Sequence, residues 1–301
     1  MKIKNFIFLA SSHNVAKAYL AVMLELNLIP ERIIFTEFVQ RQNLKAAERP
    51  SMAFIKTIHH QLRSMSPVKK IRRVLGMGGT TISAPRLDEH QIYKQVADFA
   101  NQSGLPVVEF FTSTEEMLRR HNLVYERHCF TSLNDPEFIS LISNAPQTVA
   151  LYVEGGILRK PVLSTRIRFL HIHPGVVPLV RGSAGMLWSA LVHKKVGMSG
   201  FFMNEGIDTG DVILTKEYPV PKIPISTHFA TSQYADARYL ALEDYIGASY
   251  RADILRELLK QQPDPEQWMP QLQDRTAGKL YFHPHRKIRD QAVEKFFVGM
   301  G

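Results

Sequence analysis

The stretch "LHIHPGVVPLVRGSAG", Leu170 to Gly185, decides how the rest of the chain is read. It ends an apolar run, "IRFLHIH" at 167–173, that reads as a strand. Side chains two apart on a strand share a face, so His171 and His173 stand side by side where that strand stops. Pro174 cannot extend a ladder, and Gly175 and Pro178 turn the chain away. Paired imidazoles at the end of a strand, followed by a bend, suit the carboxyl edge of an open α/β sheet, where ligands bind.

The flanking sequence supports that sheet. "IKNFIFLA" at 3–10 reads as a buried strand, "HNVAKAYLAVMLELN" as a helix and "ERIIFTEF" as a second strand. Strand, helix, strand is how a parallel α/β unit begins. Ser11 and Ser12 mark a helix entrance that could receive an anion, but no glycine fingerprint supports a dinucleotide. "EHQIYKQVADFANQSG" reads as a helix closed by Gly104, and "LPVVEFF" as a third strand. Ser113 followed by Glu116 is a capping box. "NDPEFISLISN" reads as a helix, "QTVALYV" as a strand, and "GSAGMLWSALVHKK" as a helix. "GMSGFFMN" and "GDVILTKEYPV" complete the set of strands. The expected fold is α/β: an open, Rossmann-like, mostly parallel sheet with flanking helices. Pro219, Pro221 and Pro224 mark a boundary. Residues 1–221 are expected to form one unit with a basic helical insertion at about 40–104, and 222–301 a mainly helical C-terminal extension.

Bulk properties narrow the function. The 301 residues carry a formal charge of +9, which suits an anionic ligand. Nine basic residues fall between Arg41 and Arg73, either a solvated helical face or a cover for such a ligand. Cys129, the single cysteine, excludes an internal disulfide and fits the cytoplasm. Phe6 to Ala10 is too short for a signal-peptide core, and no run of 18 apolar residues predicts a membrane span.

Downstream, "NEGIDTGDVIL" places Asp208 and Asp211 in a glycine-containing loop before another apolar strand. An acid there can reach back toward the histidines. The residues alone leave two chemistries open. One is a metal-dependent hydrolase using His171, His173 and an aspartate, with His193 or His228 added. The other is acid–base work by an imidazole whose charge a carboxylate sets.

"HIHPGVVPLVRGSAG" and "GIDTGDVIL", with "YVEGGILRKPVL" upstream, resemble the formyltransferase family that uses 10-formyltetrahydrofolate. That family's signature is Asn-x-His-Pro-Ser-Leu-Leu-Pro, then Arg-Gly, then an Asp-x-Gly loop. The likeness is dense over about 147–220 and loose over the first strand–helix–strand. It implies that His173 is the family's histidine and Asp208 its aspartate, while His171 stands where the family has asparagine. It also implies the chemistry: an amine attacks the cofactor's formyl carbon, donors stabilise the oxyanion, and a proton moves to the departing folate nitrogen. Gly155, Gly156, Ile157 and Leu158 are expected on one side of a pterin slot, and Met203, Asn204, Glu205, Gly206 and Ile207 on the other. Val177 and Arg181 are expected near its mouth. No metal is implied.

Departures from the pattern bear on the outcome. Gly185 replaces a proline, Ser199-Gly200-Phe201 replaces Thr-x-His, and Asn204 replaces an acid. His171 either replaces the asparagine as donor, slows or alters the enzyme, or marks an inactive folate-binding protein. The family's tRNA-modifying members carry a β-rich tail, whereas 222–301 reads helical, so tRNA is disfavoured. The expected partner is a small, anionic amine acceptor: a nucleotide-linked amino sugar or an amine of specialised metabolism. A homodimer is compatible with this reading.

Overall fold

The structure is a computed structural model and describes residues 1–38, 89–153, 156–274 and 276–300. The basic stretch at 41–73 and Gly155 lie outside the described residues. The first half of the chain contains β1 (Lys2–Ala10), α1 (Asn14–Glu25), β2 (Ile29–Phe38), α2 (Glu89–Gln102), α3 (Thr114–Arg120), β3 (Glu126–Phe130), α4 (Pro136–Ser143) and β4 (Val149–Tyr152). There follow α5 (Lys160–Leu163), β5 (Arg168–His173), β6 (Val180–Gly182), α6 (Gly185–Trp188), β7 (Lys195–Phe202), β8 (Val212–Pro219) and β9 (Ile223–Ser226). The tail adds α7 (Ala235–Ala241), α8 (Gly247–Gln261), β10 (Lys279–Tyr281), α9 (Arg286–Glu294) and β11 (Phe297–Met300).

Among the described residues, seven strands form one sheet in the order β3-β2-β1-β4-β5-β7-β8. The first five run parallel; β7 and β8 are antiparallel. This is the open α/β sheet the sequence implies. In β1, alternate residues enter different cores. Phe6, Phe8 and Ala10 join the apolar cluster containing α1 and α8, whereas Ile7 and Leu9 join the cluster on the opposite face. That two-sided burial is why "FIFLA" is a continuous apolar run rather than an alternating one.

Local chemistry sets the helix starts. Ser113 Oγ accepts from the Glu116 N–H, and Asp135 Oδ1 from the Glu137 N–H. His13 does the same for α1 through Nδ1, which accepts from the Val15 N–H at 3.2 Å. Further along, "GSAGMLWSALVHKK" is α-helical only at Gly185–Trp188, and Ser189–His193 widens into a π-helical turn.

The strand expected at "LPVVEFF" does not form. Residues 105–111 run as an irregular connection. Asn101 supplies the reason: its side chain donates to the Val108 carbonyl at 3.1 Å and accepts from the Val108 N–H at 2.9 Å. Both backbone groups a strand neighbour would use at Val108 are thereby occupied. The edge of the sheet is β3, "ERHCF", whose first two residues are exposed.

The tail is mainly helical, as expected, but its β strands were not. β11 pairs with β9, and β10 with β6, both in parallel. Helix α8 packs on α1 and, through Ile254 and Leu258, on β7 at Gly200. Asp253, 3% exposed, ties α8 to β8 by accepting from Lys216 Nζ and Tyr218 Oη, each at 2.7 Å, and pairs with Arg256. No helix among the described residues is long and apolar enough to cross a membrane.

Candidate active site

The site forms where β5 ends. His171 lies between Tyr152 of β4 and Phe201 of β7, and His173 lies opposite Ser199. Their rings are 6.2 Å apart, centre to centre. The bend after Pro174 then wraps back over the His173 ring. A Cβ on Gly175 would sit 2.7 Å from both His173 Nε2 and the Val180 carbonyl oxygen, so only glycine fits there.

Asp208 arrives from the loop between β7 and β8. Its φ is 51°, a left-handed conformation that aspartate tolerates better than most residues. Asn204 holds the loop shut. Its amide donates to the Thr209 carbonyl at 2.9 Å, and its Oδ1 accepts from the Gly206 N–H and the Thr209 hydroxyl. Asparagine can donate and accept at once, which an ionised aspartate could not do.

The three groups converge. Asp208 Oδ2 accepts from the Gly182 N–H at 2.7 Å and lies 3.5 Å from His173 Nδ1. His173 Nε2 lies 3.1 Å from the Val180 carbonyl oxygen. A carbonyl only accepts, so Nε2 carries the hydrogen and Nδ1 is the nitrogen turned to the carboxylate. Neither ring nitrogen of His171 has a hydrogen-bond partner among the described residues, and Nδ1 is buried. Ligand atoms of His171, His173 and Asp208 lie within 4.8 Å of one another. His193 and His228 do not join them; His228 Nε2 pairs with Tyr234 Oη at 3.0 Å instead.

Electrostatics keep both rings neutral. Burial pushes His171 well below the usual imidazole range, helped by His173 and the Arg251 guanidinium. Burial also lowers His173; Asp208 pushes back, Arg251 lowers it further, and the Val180 carbonyl raises it in part. The net direction is down. Stability therefore acquires an acid limb. The unfolded chain takes a proton on His171 near 6.5 while the folded chain does not, so stability falls as pH drops below that value. Asp244, raised by burial to about 6, acts in the opposite sense over the same range, and so masks part of the loss. His171→Asn removes the share of His171 and leaves those of His173 and His13. The variant should lose less stability than the parent between pH 6.5 and 5 in urea titrations. Parallel curves would contradict the burial of a neutral His171.

Several residues absent from the sequence reading build this site. Gln273 donates through Nε2 to the carbonyls of Asp208, at 3.2 Å, and of Gly210. Gln271 bridges Val212, the Lys279 N–H donates to the Leu179 carbonyl, and Trp188 stacks on Tyr281 at 4.9 Å. Residues 271–274 and 279–282 thus brace both the bend after β5 and the Asp208 loop. Nothing in their spacing signals this, because a single glutamine in coil has no period. Gln273→Ala should cost roughly 1–2 kcal/mol in urea unfolding, as two loop carbonyls lose their donor. An unchanged midpoint would remove Gln273 from the brace. Arg251, on α8, is a second unforeseen residue. It bears on His13, His171 and His173, its Nε is buried, and it makes no ion pair with any described residue.

The other expected lining residues divide. Gly156 has φ 124° and its carbonyl accepts from Tyr152 Oη at 3.0 Å, while Ile157 is 66% exposed. Leu158 and Met203 pack with Tyr152 and Phe169 in the apolar cluster on the face of the sheet that also bears His171 and His173. Val177 is buried, and its N–H donates to Ser199 Oγ. Arg181 sits beside the bend with its Nε buried and unpartnered. Glu205 makes a loose exposed contact with Lys160 at 3.9 Å, and Ile207 is half exposed.

No protein-family model matches the chain. Among curated proteins, the methionyl-tRNA formyltransferase of Syntrophus aciditrophicus (strain SB) is 33% identical over 93 residues, 30% of this chain and 30% of that protein. The methionyl-tRNA formyltransferase of Sorangium cellulosum (strain So ce56) is 31% identical over 161 residues, 49% of this chain and 50% of its own. The chain thus spans between about a third and half of the length of these relatives. A sugar N-formyltransferase structure from Shewanella sp FDAARGOS_354 aligns over 96% of this chain and 86% of its own, at 12% identity and a TM-score of 0.47. The N-formyltransferase from Helicobacter canadensis, solved with folinic acid and dTDP-3-aminofucose, aligns over 96% and 80%, at 10% identity and a TM-score of 0.45. By sequence, the matched part of the chain is similar to formyltransferases.

Proposed function

We propose that this chain, similar to formyltransferases over its matched part, transfers a formyl group from 10-formyltetrahydrofolate to an amine on a small anionic acceptor. The observation that carries the reading is the meeting of His173 Nδ1 and Asp208 Oδ2 at 3.5 Å, on two motifs 35 residues apart. The acceptor's amine attacks the formyl carbon, a C–N bond forms, and the carbonyl oxygen becomes an oxyanion. The bond to the folate nitrogen then breaks, and that nitrogen takes the proton the amine gives up. His173 suits the transfer of that proton. Its Nε2–H is committed to Val180, its Nδ1 keeps a lone pair, and Asp208 stabilises the imidazolium formed in passing. His171, in the place of asparagine, supplies an N–H toward the oxyanion from a ring with no competing partner.

The acceptor is anionic in this reading. Arg251, which makes no ion pair with any described residue, and Lys17, lowered by burial to about 8, sit on helices that close over the same edge of the sheet. A nucleotide-linked amino sugar offers phosphates for such cations, and the +9 chain would attract it. The single free thiol fits a cytoplasmic setting. Thermal unfolding with folinic acid, dTDP and UDP tests the reading. Folinic acid should raise the midpoint on its own, and a nucleotide should add to it. Failure of any folate to bind would sink the proposal.

A further inference from the structure

We infer that His171, His173 and Asp208 form a binding site for one divalent transition-metal ion such as Zn²⁺, and that the ion suspends the proton relay while bound. The metal site stands on the geometry of the three side chains alone, while the effect on proton transfer rests on the proposed formyl transfer.

His173 Nε2–H is spent on the Val180 carbonyl, so Nδ1 presents a lone pair. The atom facing it, Asp208 Oδ2, is also an acceptor, already receiving the Gly182 N–H. Two acceptors are therefore directed at each other, 3.5 Å apart, beyond the usual 2.7–3.2 Å of an N–H···O bond. Beside them, the buried Nδ1 of His171 has no hydrogen-bond partner among the described residues. Such a cluster calls for a cation.

The spacing suits a metal. With bonds of about 2.0–2.2 Å, neighbouring donors around a tetrahedral zinc lie roughly 3.3–3.5 Å apart. His173 and Asp208 already meet that distance. The ligand atoms of the trio all lie within 4.8 Å, so the His171 ring must tip inward by roughly an ångström to complete the set. The outer contact is also of the right kind, since a metal-bound imidazole generally gives its other N–H to a carbonyl or carboxylate. Val180 takes that role here. His173 is buried and His171 half-buried, so neither ring is dispersed in solvent. Three protein donors leave a position for water or a substrate oxygen. An asparagine at 171 would offer a poor ligand for such an ion, so the histidine is what makes the trio. With an ion on Nδ1, that lone pair no longer accepts the amine's proton.

The test uses tag-free, chelator-treated protein titrated with Co²⁺, read by its visible absorption and by metal content after gel filtration. The native chain should take up one ion. His171→Asn and Asp208→Asn should each bind at least about tenfold more weakly, with unchanged circular dichroism. His193→Asn, outside the trio, should bind as the parent does. Absence of uptake by the parent at micromolar cobalt overturns the site, as does equal uptake by His171→Asn and the parent. Folinic acid binding on the same samples separates the two proposals. Cobalt uptake lost with folinic acid retained discards the metal site alone. Folinic acid lost with cobalt retained leaves the metal site standing and discards formyl transfer. Where transfer is measured, Zn²⁺ should inhibit it reversibly, and His171→Asn should blunt that inhibition.

Discussion

Replacing His173 with alanine should lower formyl transfer by about 10³-fold or more, and Asp208→Asn by a similar factor. A positioned proton-transfer group contributes roughly 10²–10⁴-fold. His173 also orders the bend after β5 through its bond to Val180. Asp208 adds a second function, because its Oδ2 holds the Gly182 N–H at 2.7 Å. Asparagine keeps an oxygen for that N–H but loses the charge that stabilises a transient imidazolium. The two losses should not add, since each variant removes the same relay. The double variant should therefore turn over about as slowly as either single one. Folinic acid binding should persist in both, which distinguishes lost chemistry from lost fold. Full activity in the His173 variant would exclude its role.

Gly210→Ala should be the most damaging single methyl in the chain's described part. A Cβ there would stand 1.7 Å from the Phe202 carbonyl oxygen and 2.8 Å from its carbon. Both are backbone atoms, and Phe202 is held by pairing with Leu170 and by its N–H bond to the Asp211 carbonyl. Nothing flexible can yield, so the loop must. Moving it separates Asp208 from His173 and strips Gln273 of an acceptor. A loss of about 3 kcal/mol or more in urea unfolding is expected, at the upper end of single-residue effects. Formyl transfer should fall with it. A variant of native stability would show that the loop has an alternative path.

The sheet was legible because its burial pattern is written in side chains. "FIFLA" and "VALY" are buried on both faces and read as continuous apolar runs. His171 and His173 were legible for the same reason, since period two and Pro174 fix where they point. Asp208 and Asp211 were both candidates from their loop, and only the resemblance chose Asp208, because the distance between loop and strand is set by packing. Two features had no such signal. Asn101 withdrew Val108 from the sheet with two hydrogen bonds, which local propensity at "LPVVEFF" does not register. Edge strand β3 was hidden because "ERHCF" is polar where solvent and ion pairs to Arg32 and Glu37 meet it. The brace at 271–274 and 279–282 and the place of Arg251 were missed on another ground: long-range partners leave no local period.

The most direct measurement is a crystal structure with folinic acid bound. The account predicts the formyl carbon at the end of β5, with the His173 ring and the Asp208 carboxylate within roughly 3–4 Å of the formyl group or a bridging water. A pterin bound elsewhere on the chain, or a formyl group beyond reach of both residues, would contradict it.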